Sequence, residues 1–503
     1  MTPKPFARRL LCLALSCLAG WAATPAVAEA EEPPYVGAYF YYWYDVYSGE
    51  HLDPAALSTH PNTLTDYSYK SVAWFKRELS LMKQAGIDHA LLVYWGRKHP
   101  WSLEGIQRAA QAVAELAAEG RPYPQLGCFY DTNVLTNYRN LFRLYYPLAK
   151  DMVYKDVEAF YKRIPKRYWS RIQGRPVVWT WVHTIENNYN DKFFSDLANR
   201  FQGVFGVRPY IVKEHSWWKA PADAQYRWGA ADAGIIGSDL GNAVLDVGPG
   251  YDDTKLPDRQ GGFSRPRLDG LFFKRNLERV LKLARTHSKR VVIFETWNEW
   301  HEASTIAPST EHGALYVQLA SQYITALKQG RASLNALPCE GLLSAAWTPG
   351  SQRCAQLLRP KDGKTAPYSV GGKTCLAPVP FNGAYPSHLY FDVADEMIWL
   401  NVRDNAVDKA VELRIELYDV GTNEFEIQYD SADLNYHPSA GAYAGAFKPT
   451  ARVKKTDTKT WKTFRVPIPH ALFSNRGTAG SDFRIVAFGN PNICVSSVSV
   501  DLR

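Results

Sequence analysis

The sequence predicts an α/β chain in two parts: a (β/α)8 barrel of TIM type over residues 35–330, then an antiparallel β-sandwich of jelly-roll form over residues 380–503. Three observations carry this. From residue 35 onward, short apolar runs alternate with stretches of helical period, as in parallel strands covered by helices. About eight such runs fall in about 300 residues, the scale of a closed barrel. Beyond residue 380 the apolar period drops to two, after a stretch rich in Pro, Gly, Ser and Lys, 331–379, that is expected as a linker.

Taken in order, the chain opens on an export signal at 1–28. Lys4, Arg8 and Arg9 precede an apolar run from Leu10 to Ala23, and Ala26-Val27-Ala28 forms an A-x-A cleavage site. That run is too short for a membrane span, and no later segment is apolar enough for one. A secreted or periplasmic protein with no membrane span is expected. Cys17 lacks the lead-in of a lipoprotein, since Ala14-Leu15-Ser16 precedes it.

The barrel strands are expected at Tyr35–Tyr44, His89–Trp95, Gln125–Tyr130, Pro176–Val182, Pro209–Lys213, Ala233–Gly237, Ala243–Val247 and Val291–Trp297. The step between the sixth and seventh is too short for a crossover helix. Helical stripes lie between the strands: Phe75, Leu79 and Met82; Ile106, Ala110 and Val113; Phe273, Leu277, Val280 and Leu281. A final helix is expected from Gly313 to Leu327. Active sites of such barrels form at the C-terminal ends of the strands. Those ends carry Trp43 and Tyr44, Trp95, Asp131, Trp181 and His183, and Glu214 with His215. The turn Val247-Gly248-Pro249-Gly250-Tyr251-Asp252-Asp253 adds an aromatic and two carboxylates.

The densest chemistry follows the last strand, in Glu295-Thr296-Trp297-Asn298-Glu299-Trp300-His301-Glu302. Alternation would put Ile293, Glu295 and Trp297 on one face. Glu299 and Glu302 are three apart, so a helical turn would bring their Cβ atoms to roughly 5–6 Å. Two carboxylates that close can titrate apart, one serving as acid and one as base. A solvated loop is rarely so rich in Trp, whose flat faces suit a sugar ring.

The run Trp297-Asn298-Glu299-Trp300-His301-Glu302, with Ile306, Pro308-Ser309, Gly313 and Tyr316 after it, resembles the signature of the endo-α-mannosidase-like hydrolases of glycoside hydrolase family 99 and the related WbsX-type proteins of polysaccharide gene clusters. The chain departs from that pattern at Ala303-Ser304 and at Ala307. The resemblance spans residues 35–330 and implies a retaining, substrate-assisted hydrolase of α-linked glycans. In that family the first Glu of the motif helps the sugar's own 2-hydroxyl attack the anomeric carbon, and the second is acid, then base. Carried over, Glu299 is the base and Glu302 the acid/base. Tyr251, Asp252, Trp297, Trp300, His301, Glu295, Trp95, Asp131 and Glu214 are the candidate substrate contacts. The family shows a comparable Tyr-bearing turn at the sugar, which is what selects Tyr251 and Asp252.

In the C-terminal part Val411, Leu413, Ile415 and Leu417 alternate with Glu412, Arg414 and Glu416, and Phe425, Ile427 and Tyr429 repeat the pattern. Modules of this kind often bind carbohydrate, by analogy of architecture. Cys339, Cys354, Cys375 and Cys494 fall here and allow three connectivities. Closeness along the chain favours Cys339 with Cys354, and Cys375 with Cys494 would tie the module's start to its end. Cys128 lies in an apolar strand and reads as a buried thiol. No Cys or His spacing resembles a zinc site, and neither metal nor cofactor is expected.

The 46% apolar and 14% aromatic content can build large cores, and 30 Tyr with 16 Trp also suit carbohydrate surfaces. The formal charge of +8 is not gathered in basic runs, which argues against nucleic acid as a partner. A monomer acting on a carbohydrate polymer or oligosaccharide is expected. Two other readings remain at this stage: a non-catalytic polysaccharide-binding or export protein using the same cleft, and a glycosyltransferase. Export and the lack of a Gly-rich phosphate loop weigh against the last.

Overall fold

A computed structural model describes residues 33–138, 146–182, 189–236, 239, 241–257, 259, 262–381, 383, 386–398, 409–433, 435–438, 443–488 and 493–503. The expected export signal and His183 lie outside these residues.

The parallel strands among them are β1 (Tyr35–Phe40), β2 (His89–Tyr94), β3 (Gln125–Tyr130), β4 (Arg175–Thr180), β5 (Tyr210–Glu214), β6 (Ala224–Tyr226), β7 (Val244–Val247) and β8 (Val291–Phe294). They pair in the order β6-β5-β4-β3-β2-β1-β8-β7, so β6 and β7 end the ladder of a nearly closed, TIM-like sheet. Register is tight where β1 meets β8, with Tyr35 opposite Val291 and Ala38 opposite Phe294. The helices are α1 (Val72–Gln84), α2 (Pro100–Ala118), α3 (Tyr146–Lys162), α4 (Phe193–Phe205), α5 (Leu271–His287) and α6 (Leu315–Lys328). Ser71 caps α1 by accepting from the Trp74 amide at 3.2 Å. The stripes Phe75-Leu79-Met82, Ile106-Ala110-Val113 and Phe273-Leu277-Val280-Leu281 all face the core.

Two expectations change. Ala233–Gly237 is not a strand: Ala230–Ala233 form a single helical turn, and no strand follows in the described residues up to Ile236. The strand in that place is β6, whose three residues, Ala-Gln-Tyr, are too few for a visible period. The other change is at 331–379. In place of a linker, the strands Ser344–Thr348, Ser351–Arg353, Ala355–Leu358, Thr365–Val370 and Lys373–Pro378 join the C-terminal sheets. Pro, Gly and Lys there mark tight hairpin turns; Gly371 and Gly372 turn between two of these strands with φ of 54° and 75°.

Two antiparallel sheets build the C-terminal part and share an apolar core that includes Trp347, Leu389, Leu413, Ile427, Ile485 and Val498. Disulfides join Cys339 to Cys354 and Cys375 to Cys494, while Cys128 is a buried free thiol in the barrel. No helix among the described residues is long and apolar enough to cross a membrane.

The barrel and the sheets lie within one compact unit, Pro34–Arg503. Ion pairs join them. Arg265 Nη1 meets Asp392 Oδ2 at 2.8 Å, Arg279 Nη1 meets Asp395 Oδ2 at 2.9 Å, and Arg275 Nε meets Glu396 Oε1 at 3.2 Å. Arg265 and Arg279 are fully buried. On α5, Glu278 accepts hydrogen bonds from Tyr323 Oη (2.8 Å) and Ser333 Oγ (2.8 Å), and from the amides of Leu334 and Asn335 (2.7 Å for the latter). That carboxylate gathers the chain as it leaves the barrel.

Candidate active site

After β8 the chain is fixed by its own polar groups. The Trp297 amide donates to the Tyr39 carbonyl at 2.8 Å, and Thr305 Oγ1 donates to the Trp297 carbonyl at 2.7 Å. Asn298 grips the end of β1: its Oδ1 accepts from the Tyr41 amide at 2.8 Å and its Nδ2 donates to the Tyr41 carbonyl at 2.7 Å. Tyr44 Oη donates to the Asn298 carbonyl at 2.8 Å. Glu299 and Glu302 therefore project from a pinned loop. Residues 300–303 form a turn rather than a helix, and Ala303 has φ of 46°.

The two carboxylates differ in surroundings. Glu299 is 3% exposed, and its Oε1 accepts from the His301 amide at 3.1 Å and faces His301 Nδ1 at 2.9 Å. Its Oε2 is buried with no partner among the described residues. Burial pushes Glu302 up to about 8, and the charge of Glu299 adds to the rise; Arg259 and the Tyr251 hydroxyl pull the other way. Arg259 Nη2 reaches Glu302 Oε1 at 3.3 Å. At neutral pH a value that high favours the protonated form of Glu302, while Glu299 beside it is fixed through His301. Burial also raises Asp131 to about 7, with the Glu299 charge contributing.

Glu295 takes a different direction from Trp297, because β8 ends at Phe294 and the alternation ends with it. Its carboxylate accepts from the amides of Gly229 and Ala230 at 3.0 Å each. Burial, then the charge of Asp232, lift it to about 7 against those amides. Gly248 makes this packing possible: a Cβ there would lie 2.4 Å from both Ala231 Cα and the Glu295 carbonyl. Nearby, Asp246 of β7 accepts from Tyr39 Oη at 3.0 Å, and burial and the Glu295 charge raise it well above the usual carboxylate range.

Several expected contacts belong to the framework. Trp297 and Trp300 are 0% and 1% exposed, so neither offers a face to a sugar. Trp297 Nε1 donates to Glu78 Oε2 at 3.0 Å, and Trp300 Nε1 to Tyr67 Oη at 2.7 Å. Asp252 caps its own turn through Thr254 Oγ1 (2.5 Å) and the Thr254 amide (3.0 Å). Glu214 is fully buried and bonded to Ser216 and His215, its neighbours in sequence. Trp95 is half-buried, edge-on to Trp43 with ring centres 5.9 Å apart. His301 packs among Trp43, Tyr44 and His51.

Tyr41 escaped the sequence reading. Burial raises its hydroxyl strongly, and the charges of Glu299, Glu302, Asp131 and Glu295 all add. As one Tyr in a run of six aromatics, Tyr39 to Tyr44, it carried no signal of its own. Arg259, the cation at Glu302, sits in a loop with no periodic pattern. No group of three or more His, Cys, Asp or Glu side chains among the described residues could hold a metal ion.

A TIM-like barrel with an unlike pair of carboxyls on the loop after its last strand is the class that fold and site define. Residues 34–330 match the family described as Domain of unknown function (DUF5010), and the chain belongs to that family. No curated protein matches it. Among solved structures the chain is similar to the GH99 endo-alpha-mannosidase from Bacteriodes thetaiotaomicron in complex with BIS-TRIS-Propane, at 14% identity and a TM-score of 0.47, over 59% of this chain and 98% of that one. It is similar at 15% identity and a TM-score of 0.44 to a glycoside hydrolase-like protein, over 59% of this chain and 95% of that one. A carbohydrate binding module from Cellvibrio mixtus lichenase 5A, in complex with cellotriose, matches at 11% identity and a TM-score of 0.18, over 32% of this chain and 98% of that one.

Proposed function

We propose that the chain is an exported glycoside hydrolase that cleaves an α-linked polysaccharide or oligosaccharide, with Glu299 as base and Glu302 as acid and then base. The observation that carries this is the unlike surroundings of the two: Glu299 has one oxygen on His301 and the other an orphaned buried acceptor, while burial and the Glu299 charge push Glu302 up to about 8. An orphaned acceptor calls for a donor, which a substrate hydroxyl supplies.

In the first half-reaction Glu299 Oε2 takes the proton of the sugar's 2-hydroxyl. The sugar's 2-oxygen bonds to its own anomeric carbon as the glycosidic C–O bond breaks, and Glu302 gives its proton to the departing oxygen. In the second half Glu302, now a carboxylate, takes a proton from water. The water oxygen bonds to the anomeric carbon, the internal C–O bond opens, and the proton on Glu299 returns to the 2-oxygen. Two displacements at one carbon retain configuration. The paired disulfides support export, since such bonds persist in oxidising compartments.

A panel of α-linked glycans assayed for new reducing ends tests the reading. Release by the wild type, lost in Glu302→Gln, is expected. Binding of a glycan without any release would overturn hydrolysis in favour of a binding protein.

A further inference from the structure

Arg265 stands where three parts of the chain meet. It lies in the short strand Ser264–Arg265, paired in register with Tyr251 of the strand Tyr251–Asp252. Its guanidinium is 1% exposed, and each of its nitrogens is engaged. Nε donates to the Asp232 carbonyl at 2.6 Å, Nη1 to Asp392 Oδ2 at 2.8 Å, and Nη2 to the Ala479 carbonyl at 2.7 Å. Asp232 belongs to the helical turn whose first amides, Gly229 and Ala230, hold Glu295. Asp392 lies in the strand Ser387–Val393 of the C-terminal sheets, and Ala479 in the short turn Thr478–Gly480 that leads into another of their strands. Gly480 lies flat on the same turn: a Cβ there would sit 2.7 Å from Ala233 Cα.

We infer that Arg265 is a positioning residue through which the C-terminal sheets hold the active site in shape. One arm fixes the turn that orients Glu295. The ladder to Tyr251 fixes the hairpin whose hydroxyl touches Glu302 and whose Asp252 amide donates to the Glu302 carbonyl at 2.7 Å. Asp392 supplies the counter-charge that keeps the fork in place, so the sheets act on the chemistry without touching substrate. A planar fork with three directed donors can do this, and a lysine ammonium cannot reproduce it.

Three amides report on the coupling in the full chain: Gly229, Ala230 and Asp252. In Asp392→Asn their hydrogen exchange should speed up at least about tenfold, the scale of losing a charge-assisted hydrogen bond. Arg265→Lys should do the same and serves if the first variant folds poorly. Glu396→Gln, which weakens the neighbouring Arg275 pair, should leave all three amides protected. Equal exchange in Asp392→Asn and Glu396→Gln, or unchanged protection in Asp392→Asn and Arg265→Lys, would overturn the inference. The kinetic arm rests on the hydrolase reading: Asp392→Asn should lower kcat about tenfold or more with KM within about twofold, since a group ordered only for the reaction has been loosened. Wild type without turnover would defeat the hydrolase reading alone, because exchange decides the coupling by itself.

Discussion

Nδ1 of His301 lies 2.9 Å from Oε1 of Glu299, and the His301 amide donates to the same oxygen at 3.1 Å. One carboxylate oxygen thus serves a single neighbour twice, and the other is left with no partner among the described residues. Burial lowers His301, but the hydrogen bond and charge of Glu299 outweigh it, and the net change is upward from 6.5. A histidine raised on folding binds more protons when folded, so its contribution is full below its unfolded value and fades as pH climbs through the folded one. His301→Gln should therefore cost most stability below about pH 6.5 and less in alkaline solution. Urea midpoints of the two proteins at acidic and alkaline pH check this; an equal loss at both contradicts it.

Glu299→Gln and Glu302→Gln should each remove hydrolysis by roughly 10²–10⁴-fold while the fold survives. Their roles separate on a substrate with an activated aryl leaving group, which departs without protonation. Glu302→Gln should lose much less of the first step on that substrate, and Glu299→Gln should lose as much on both. Near wild-type rates in both variants would remove the pair from the mechanism.

Glu302 gives a second pH signature. Its folded value of about 8 lies above the ordinary 4.5, so the folded state holds a proton that the unfolded state releases. Its favourable contribution is full below about 4.5 and is lost as pH rises through about 8. Gln cannot ionise. The melting temperature of Glu302→Gln should therefore gain on wild type across that window and keep its lead above it. A constant difference from acid to alkali would mean that Glu302 titrates normally.

The tryptophans divide into wall and rim. Trp297→Ala should cost about 3–5 kcal/mol, because it empties a fully buried site and strips Glu78 of its donor. Trp95→Ala, at a half-buried position, should leave stability nearly unchanged and weaken glycan binding. Calorimetry with and without glycan distinguishes them, and the reverse ranking would contradict the assignment.

The two disulfides should differ in worth. Cys375–Cys494 closes 119 residues and Cys339–Cys354 closes 15, so the unfolded chain is constrained more by the first. On loop-closure entropy alone the losses on Ser substitution are about 5 and about 3 kcal/mol. Denaturant midpoints of the two double Ser variants check the order.

The fold was legible wherever period was long. The stripes of α1, α2 and α5 and the alternation through Val411–Leu417 were plain, because burial of one face repeats over several turns. β6 was not, since three residues cannot show a period. The hairpins within 331–379 have the composition of a linker and show no clear period, because their strands are short and exposed in part. In the site, the acid pair stood out as charge after an apolar strand. What sequence could not tell was direction: Trp297 and Trp300 look like sugar platforms in one dimension, and only the packing of Glu78 and Tyr67 against their indole nitrogens shows them to be wall. Tyr41 was hidden for the opposite reason, among neighbours of its own kind.

The seam of arginines and the Glu278 knot have a consequence for how such a chain can be assembled and altered. Family resemblance ends at residue 330, but the amides that satisfy Glu278 belong to residues 334 and 335, and the acids that answer Arg265, Arg275 and Arg279 lie beyond residue 390. Cutting the gene at the family boundary would part each of these groups from its partner and uncover the seam on both sides of the cut. The two halves are therefore poor candidates for shuffling. A C-terminal module transplanted from another protein would have to bring its own acids to the same three arginines, and a change in the barrel would travel with the sheets as one heritable piece.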